Sequence, residues 1–112
     1  MELPVIFKTL GDDIRLRILW LLLNRELCVC DIESVLEISQ ANASRHLAKM
    51  KNAGILTSKK TAQWVYYDIN KKFIEAYPEF LKSLEIELKN GYVYKNDIKT
   101  LAVLKKASGS KC

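Results

Sequence analysis

Ser39-Gln40-Ala41-Asn42-Ala43-Ser44-Arg45-His46-Leu47-Ala48-Lys49-Met50-Lys51-Asn52-Ala53-Gly54 reads as one helix with a start, two faces and a stop. Ser39 is a hydroxyl N-cap ahead of Gln40, and Gly54 supplies the flexible residue past Asn52 that ends such a helix. At about 100° per residue, Ala43, Leu47 and Met50 share a face, and Ala41, Arg45, Ala48 and Lys49 lie opposite, with Asn42 and Ser44 at the margins. The outward face is small or hydrogen-bonding. Alanines let a helix approach the major groove closely, Arg45 can donate two bonds to a guanine edge, and Gln40 and Asn42 suit adenine edges or phosphates. An exposed amphipathic helix on any small domain would show the same two faces. His46, the only histidine, falls beside the buried face and reads as a packing or hydrogen-bonding residue.

Working outward, a short helix is expected over Asp31 to Glu37, so that the two form a helix-turn-helix. Upstream, a helix over Leu3 to Leu10 precedes a nearly all-apolar one from Ile14 to about Asn24, signalled by Asp12 and Asp13. Downstream, Ile55 to Lys59 and Trp64 to Ile69 are rich in β-formers, with polar Lys60 to Gln63 between them, which predicts a two-stranded hairpin. Helix, helix-turn-helix and hairpin in that order make a winged helix, mainly α with a β-hairpin wing. Phe73, Tyr77, Phe80, Leu81, Leu84 and Leu88 then recur at helical spacing, with Pro78 marking a helix start. A last helix after Asn90-Gly91 carries Ile98, Leu101 and Ala102.

Charge is concentrated where the reading helix and wing lie. Of the net +5 over 112 residues, residues 38–67 contribute all five through Arg45, Lys49, Lys51, Lys59 and Lys60, with no acid among them. A basic segment free of carboxylates suits a phosphate-tracking surface, because each neutralised phosphate releases counterions. A solvated basic face is the plain alternative. The contact set expected for double-stranded DNA is Ser39, Gln40, Ala41, Asn42, Ser44, Arg45 and Lys49 from the helix, with Lys59, Lys60 and Gln63 from the wing.

The size fits one small domain that a dimer would help to stabilise, and 49% apolar content is enough to fold. The longest apolar run, Ile18 to Leu23, is far short of a membrane span, and no signal-peptide pattern opens the chain, so a cytoplasmic protein without membrane contact is expected. Three cysteines, two of them one residue apart, are a poor disulfide framework. Enzyme readings lose most of their support, since one histidine cannot assemble a Ser-His-Asp set and neither a glycine-rich phosphate loop nor a His-Glu-x-x-His helix is present; a thiol enzyme is the least favoured reading.

Cys28-Val29-Cys30 stands directly ahead of the helix-turn-helix. Residues two apart on a regular helix point about 200° away from each other, so both sulfurs can grip one ion only where the backbone is not helical. The pair must therefore lie at or before a helix start. Cys30 is expected at the N-cap ahead of Asp31, where a thiol replaces the usual hydroxyl and weakens the cap by about 1 kcal/mol. The helix's positive end favours the thiolate, which binds soft metals or reacts with oxidants. Two small buried thiols filling space are the plain alternative.

Glu26-Leu27-Cys28-Val29-Cys30-Asp31, then Ser39 to Leu47, Ala53-Gly54-Ile55-Leu56 and Trp64-Val65-Tyr66-Tyr67 together resemble the arsenic-repressor (ArsR/SmtB) family of metal-sensing winged-helix repressors, over roughly Val5 to Ile69. The resemblance implies a homodimer that represses in the ligand-free form, with the first and last long helices at the interface. Residues 1–107 would form the DNA-binding domain with dimerisation helices at both ends, and residues 108–112 a flexible tail. Nothing is implied to be permanently bound; the implied inducer is arsenite or antimonite held by Cys28 and Cys30, or cadmium, lead or zinc. Relatives often have a third cysteine where this chain has Glu33, and a wing glycine where it has Ala62, from which a turn without positive φ is expected. The histidine site that some relatives carry on the last helix cannot exist here, because no histidine follows His46. Trivalent arsenic takes three soft donors, so Cys112, a solvent or cellular thiol, or no further group completes the site. Chelation would shift the helix that supports the reading helix and misalign Arg45 across two half-sites. Two further readings stay open: a redox or persulfide sensor of the same fold, and a winged-helix module that binds protein.

Overall fold

The computed structural model describes residues 2–108. In chain order the elements are α1 (Leu3–Leu10), α2 (Asp13–Asn24), β1 (Leu27–Cys28), α3 (Val29–Leu36), α4 (Gln40–Asn52), β2 (Leu56–Thr61), β3 (Trp64–Ile69), α5 (Lys71–Ala76), α6 (Pro78–Lys89) and α7 (Tyr92–Ser108). The winged helix-turn-helix expected from the sequence is present. Asp12 caps α2 by accepting the Arg15 N–H at 3.1 Å. Five consecutive residues of that helix, Ile18 to Leu22, are buried, as its nearly continuous apolar circumference requires. Glu37 closes α3 in the left-handed region at φ 54°, an uncommon place for a residue with a side chain. Gly54, at φ 86°, turns the chain out of α4, with the Ile55 N–H satisfying the Met50 carbonyl at 3.0 Å.

Three local expectations are corrected. The wing is not a lone hairpin: β1 pairs antiparallel with β3, Leu27 opposite Tyr67 and Cys28 opposite Tyr66, giving a three-stranded sheet in the order β1-β3-β2. A two-residue strand is too short for alternation to announce it; it forms because β3 offers an edge. Next, α3 begins at Val29, so the N-cap is Cys28 in extended backbone and Cys30 lies inside the first turn. Finally, β2 runs on to Thr61 and pairs with Trp64, which leaves only Ala62 and Gln63 in the turn. Ser108, expected to open the tail, is the last residue of α7, and Cys112 lies outside the described residues.

The C-terminal helices close over α2 and α3. Pro78 starts α6 in its first turn, where its missing N–H costs nothing. Three polar ties fasten α7. Arg17 donates two bonds to Asp97, at 2.8 and 2.9 Å, and Asp97 is buried; the Asp97 carboxylate holds the Arg17 guanidinium above its ordinary range. The Trp20 indole N–H donates to the Tyr94 carbonyl at 2.9 Å. Lys105 donates to Asp31 at 2.7 Å. Breaking a buried ion pair from one side leaves the other charge without its partner. Asp97→Ala is therefore expected to destabilise the fold by about 3 kcal/mol, read as a lower denaturant midpoint at unchanged slope.

Candidate metal centre and nucleic-acid interface

On α4 the two faces stand where the wheel places them. Ala43, Leu47 and Met50 are fully buried, while Gln40, Ala41, Ser44, Arg45, Ala48 and Lys49 are exposed and Asn42 is half-buried. Ser39 caps the helix, its Oγ accepting the Asn42 N–H at 3.1 Å. Arg45 Nη2 donates to Asn42 Oδ1 one turn back on the same helix. His46 has the structural role read from the sequence: its Nδ1 accepts from Arg15 Nε at 3.0 Å, and burial pushes the imidazole below its ordinary range, so the neutral ring is the form that packs here.

Lys59, Lys60 and Gln63 are exposed on the wing. Lys59 pairs with Glu26 at 3.3 Å, a carboxylate from outside the acid-free block that the tertiary fold brings in. Both partners are largely exposed, so the pair is weak and Lys59 can turn to another anion. Lys51, which was read only as part of the charge block, reaches Ser58 at 2.7 Å and so ties α4 to the wing. Ala62 stands at φ 57°, contrary to the expectation of a turn without positive φ. The two-residue connection forces it, because hairpin turns of that length need a left-handed residue to match strand twist. Ala62→Gly relieves this strain and is expected to stabilise the wing by about 0.5–1 kcal/mol, whereas Ala62→Val should destabilise it, both measured by thermal unfolding.

The two cysteines are brought together as chelation requires. Cys28 leaves β1 as the N-cap and Cys30 follows in the first turn of α3, so the change from strand to helix turns both sulfurs to one side. The two sulfurs stand 3.2 Å apart. Two sulfurs on one tetrahedral zinc ion lie about 3.8 Å apart, so a small opening of the pair admits an ion of that size. Cys28 is buried and Cys30 half-buried. In the sequence Asp31 is only the residue that follows the expected cap. Here its Oδ2 accepts from the Cys28 N–H at 3.4 Å, from Cys28 Sγ at 3.3 Å and from Lys105 Nζ at 2.7 Å. Among the described residues no group of three His, Cys, Asp or Glu side chains is arranged to hold a metal ion.

A cleft of about 260 Å³ joins this site to the reading surface. Cys28, Val29, Cys30 and Glu33 line one side, Gln40 and Ser44 of α4 another, and Gln63, Trp64, Val65 and Tyr67 of the wing the third. Glu33 therefore faces the same space as the two sulfurs. An occupant of the cleft meets residues from both candidate sets at once. The sequence carried each set but not their common cleft, which exists only because β3 packs beside β1.

Residues 12–58 match the family described as Bacterial regulatory protein, arsR family. The chain is 42% identical over 82 residues to the Arsenic resistance transcriptional regulator ArsR1 of Pseudomonas putida, a match that covers 72% of this chain and 64% of that protein. It is 39% identical over 89 residues to a Cadmium resistance transcriptional regulatory protein CadC homolog of Staphylococcus aureus, covering 77% and 74%. Among solved structures, HlyU from Vibrio cholerae superposes with a TM-score of 0.62 at 38% identity, over 71% of this chain and 87% of that one. The same protein has been solved in its reduced form. Among the described residues no helix is long and apolar enough to cross a membrane.

Proposed function

Because the chain belongs to the arsR family of bacterial regulatory proteins, whose members are DNA-binding transcriptional regulators and not enzymes, we propose that it represses transcription as a homodimer on double-stranded operator DNA. Binding of arsenite, antimonite, cadmium, lead or zinc at Cys28 and Cys30 releases it. The observation that carries this reading is the shared cleft: the two sulfurs and the DNA-facing Gln40, Ser44 and Gln63 line one space. An ion drawn in between Cys28 and Cys30 opens the first turn of α3, which carries α4. Half-sites on a two-fold operator must be met together, about one helical turn apart, so a shift of a few ångströms forfeits contacts on one side. Relatives named for arsenic and for cadmium resistance support a soft ion as inducer. For the dimer, α1 leaves Leu3 and Phe7 exposed and α7 leaves Val93 and Val103 exposed, which is apolar surface at both ends of the chain suited to a second copy.

The test is release of a labelled fragment of the protein's own promoter, with the five ions and hydrogen peroxide compared side by side. Release by at least one ion at concentrations that leave unrelated duplex binding unchanged is expected. No release by any ion would overturn the reading. Binding should weaken steeply with salt, as phosphate contacts require, and a flat salt dependence would instead favour a protein-binding module.

One observation favours a second reading, sensing by thiol oxidation. The sulfurs are already in contact at 3.2 Å, and a relative of the same fold has been studied in a defined reduced state. Release by peroxide or polysulfide alone, with a mass increase on the peptide holding Cys28 and Cys30, would select this reading over metal binding.

A further inference from the structure

Among the described residues, the Asp31–Lys105 pair ties α7 to the sulfur site. Its side chains are 2% and 10% exposed, its length is 2.7 Å, and its partners are 74 positions apart in the chain. The same carboxylate oxygen takes both bonds from Cys28. One atom, Asp31 Oδ2, thus carries the start of α3, the Cys28 sulfur and the last turns of α7.

We propose that Lys105 is a positioning residue through which occupation of Cys28 and Cys30 is transmitted to the C-terminal half of α7. The proposal rests on the soft-ion reading above. Cys28 Sγ cannot donate to Asp31 and hold an ion together; on ligation its proton leaves to solvent and the sulfur turns toward the ion. Asp31 then loses that donor, and the opening of the first turn of α3 draws away the Cys28 N–H as well. The carboxylate then keeps Lys105, in a pair whose side chains are 2% and 10% exposed. Moving with the sensor turn, Asp31 pulls Lys105 and the helix around it. The N-terminal half of α7 stays in place, because Asp97 and the Tyr94 carbonyl are held by Arg17 and Trp20 of α2, which do not touch the site. Val103, two residues before Lys105, is 69% exposed on the C-terminal half of α7, whose Leu101 and Leu104 face the core. The transmitted movement therefore reaches apolar surface suited to the second copy, and gives the ion an output separate from the cleft.

Amide hydrogen exchange on the full chain, with and without cadmium chloride, tests this. Cadmium binding is followed independently by its thiolate absorption band. In the unmodified protein, cadmium is expected to speed exchange of residues 101–107 about threefold to tenfold while residues 92–97 stay unchanged. The variant Asp31→Asn with Lys105→Met removes both charges together, so no unpaired buried charge remains, and the asparagine carbonyl can still accept the Cys28 N–H. It should bind cadmium with no change at residues 101–107. An equal response in this variant, or none in the unmodified protein once cadmium is bound, overturns the proposal. Absence of the cadmium band would instead overturn the soft-ion reading. A metal-free arm decides the coupling even then. Cys28→Ala removes the sulfur bond to Asp31 and should speed exchange at residues 101–107 in the unmodified background only; equal effects in both backgrounds, or none in either, would reject the coupling.

Discussion

Replacement of both Cys28 and Cys30 by serine is expected to abolish release of operator DNA by soft ions while leaving ligand-free affinity within about threefold of the unmodified protein. The concentration of inducer needed for half-release should rise more than about a hundredfold, equivalent to about 2.7 kcal/mol. Serine matches cysteine closely in size, so the buried position of residue 28 is not emptied. A hydroxyl is a hard donor and a poor ligand for cadmium or trivalent arsenic, so the loss falls on binding of the ion. The fold should gain slightly, because residue 28 is the N-cap of α3 and serine is among the best capping residues while cysteine is not. Promoter-fragment release titrated with each ion measures the first effect, and thermal unfolding without ion the second. A double serine variant that still releases DNA with an unshifted midpoint would place the inducer elsewhere.

Arg45→Ala is expected to give the largest loss of operator affinity from one substitution on the reading helix. A bidentate arginine on a guanine edge discriminates by about 1–3 kcal/mol. In the proposed homodimer two such contacts fall on one operator, so a loss of about 2–6 kcal/mol follows if both are equivalent. Arg45 is exposed and its bond to Asn42 lies within one turn of α4, so its removal should leave the unfolding midpoint nearly unchanged. Lys49→Ala serves as the contrast. It is expected to weaken binding to specific and random duplex alike and to reduce the salt slope by about one, as loss of a phosphate contact does. Filter binding over a salt series, on operator and on random duplex, separates the two. Equal loss on both duplexes for Arg45→Ala would make it a phosphate contact rather than a reader of bases.

Much of this was legible along the chain, and the reasons are local. The faces of α4 follow from helical period, since Ala43, Leu47 and Met50 could be buried together only by one helix in one orientation. Ser39 and Gly54 marked its ends through capping and turn chemistry that depend on immediate neighbours. Pro78 marked the start of α6 for the same reason. That Cys28 and Cys30 cannot both stand on a regular helix follows from geometry alone; Cys28 lies off the helix as its N-cap, whereas Cys30 lies inside the first turn of α3. Cys28 belongs to a strand whose existence depends on β3, and the helix starts one residue beyond Cys28. The shape of the wing turn was misjudged because Ala62 was read by its own preference, whereas strand twist across the hairpin sets its φ.

The amino-acid sequence by itself determined the helices, the reading face and the pair of sulfurs, because each depends on residues within a few positions of one another. Tertiary structure alone decided what surrounds them. Asp31 became the carboxylate shared by Cys28 and Lys105 only when α7 folded back across 74 positions of chain. Glu26 met Lys59, and Glu33 came to share a cleft with Gln40 and Trp64, only when β1 paired with β3. Polarity and period record which residues are to be buried and which way they face, but not which distant charge arrives beside them; that is decided when helices and strands close over one core and each buried ion must find a partner.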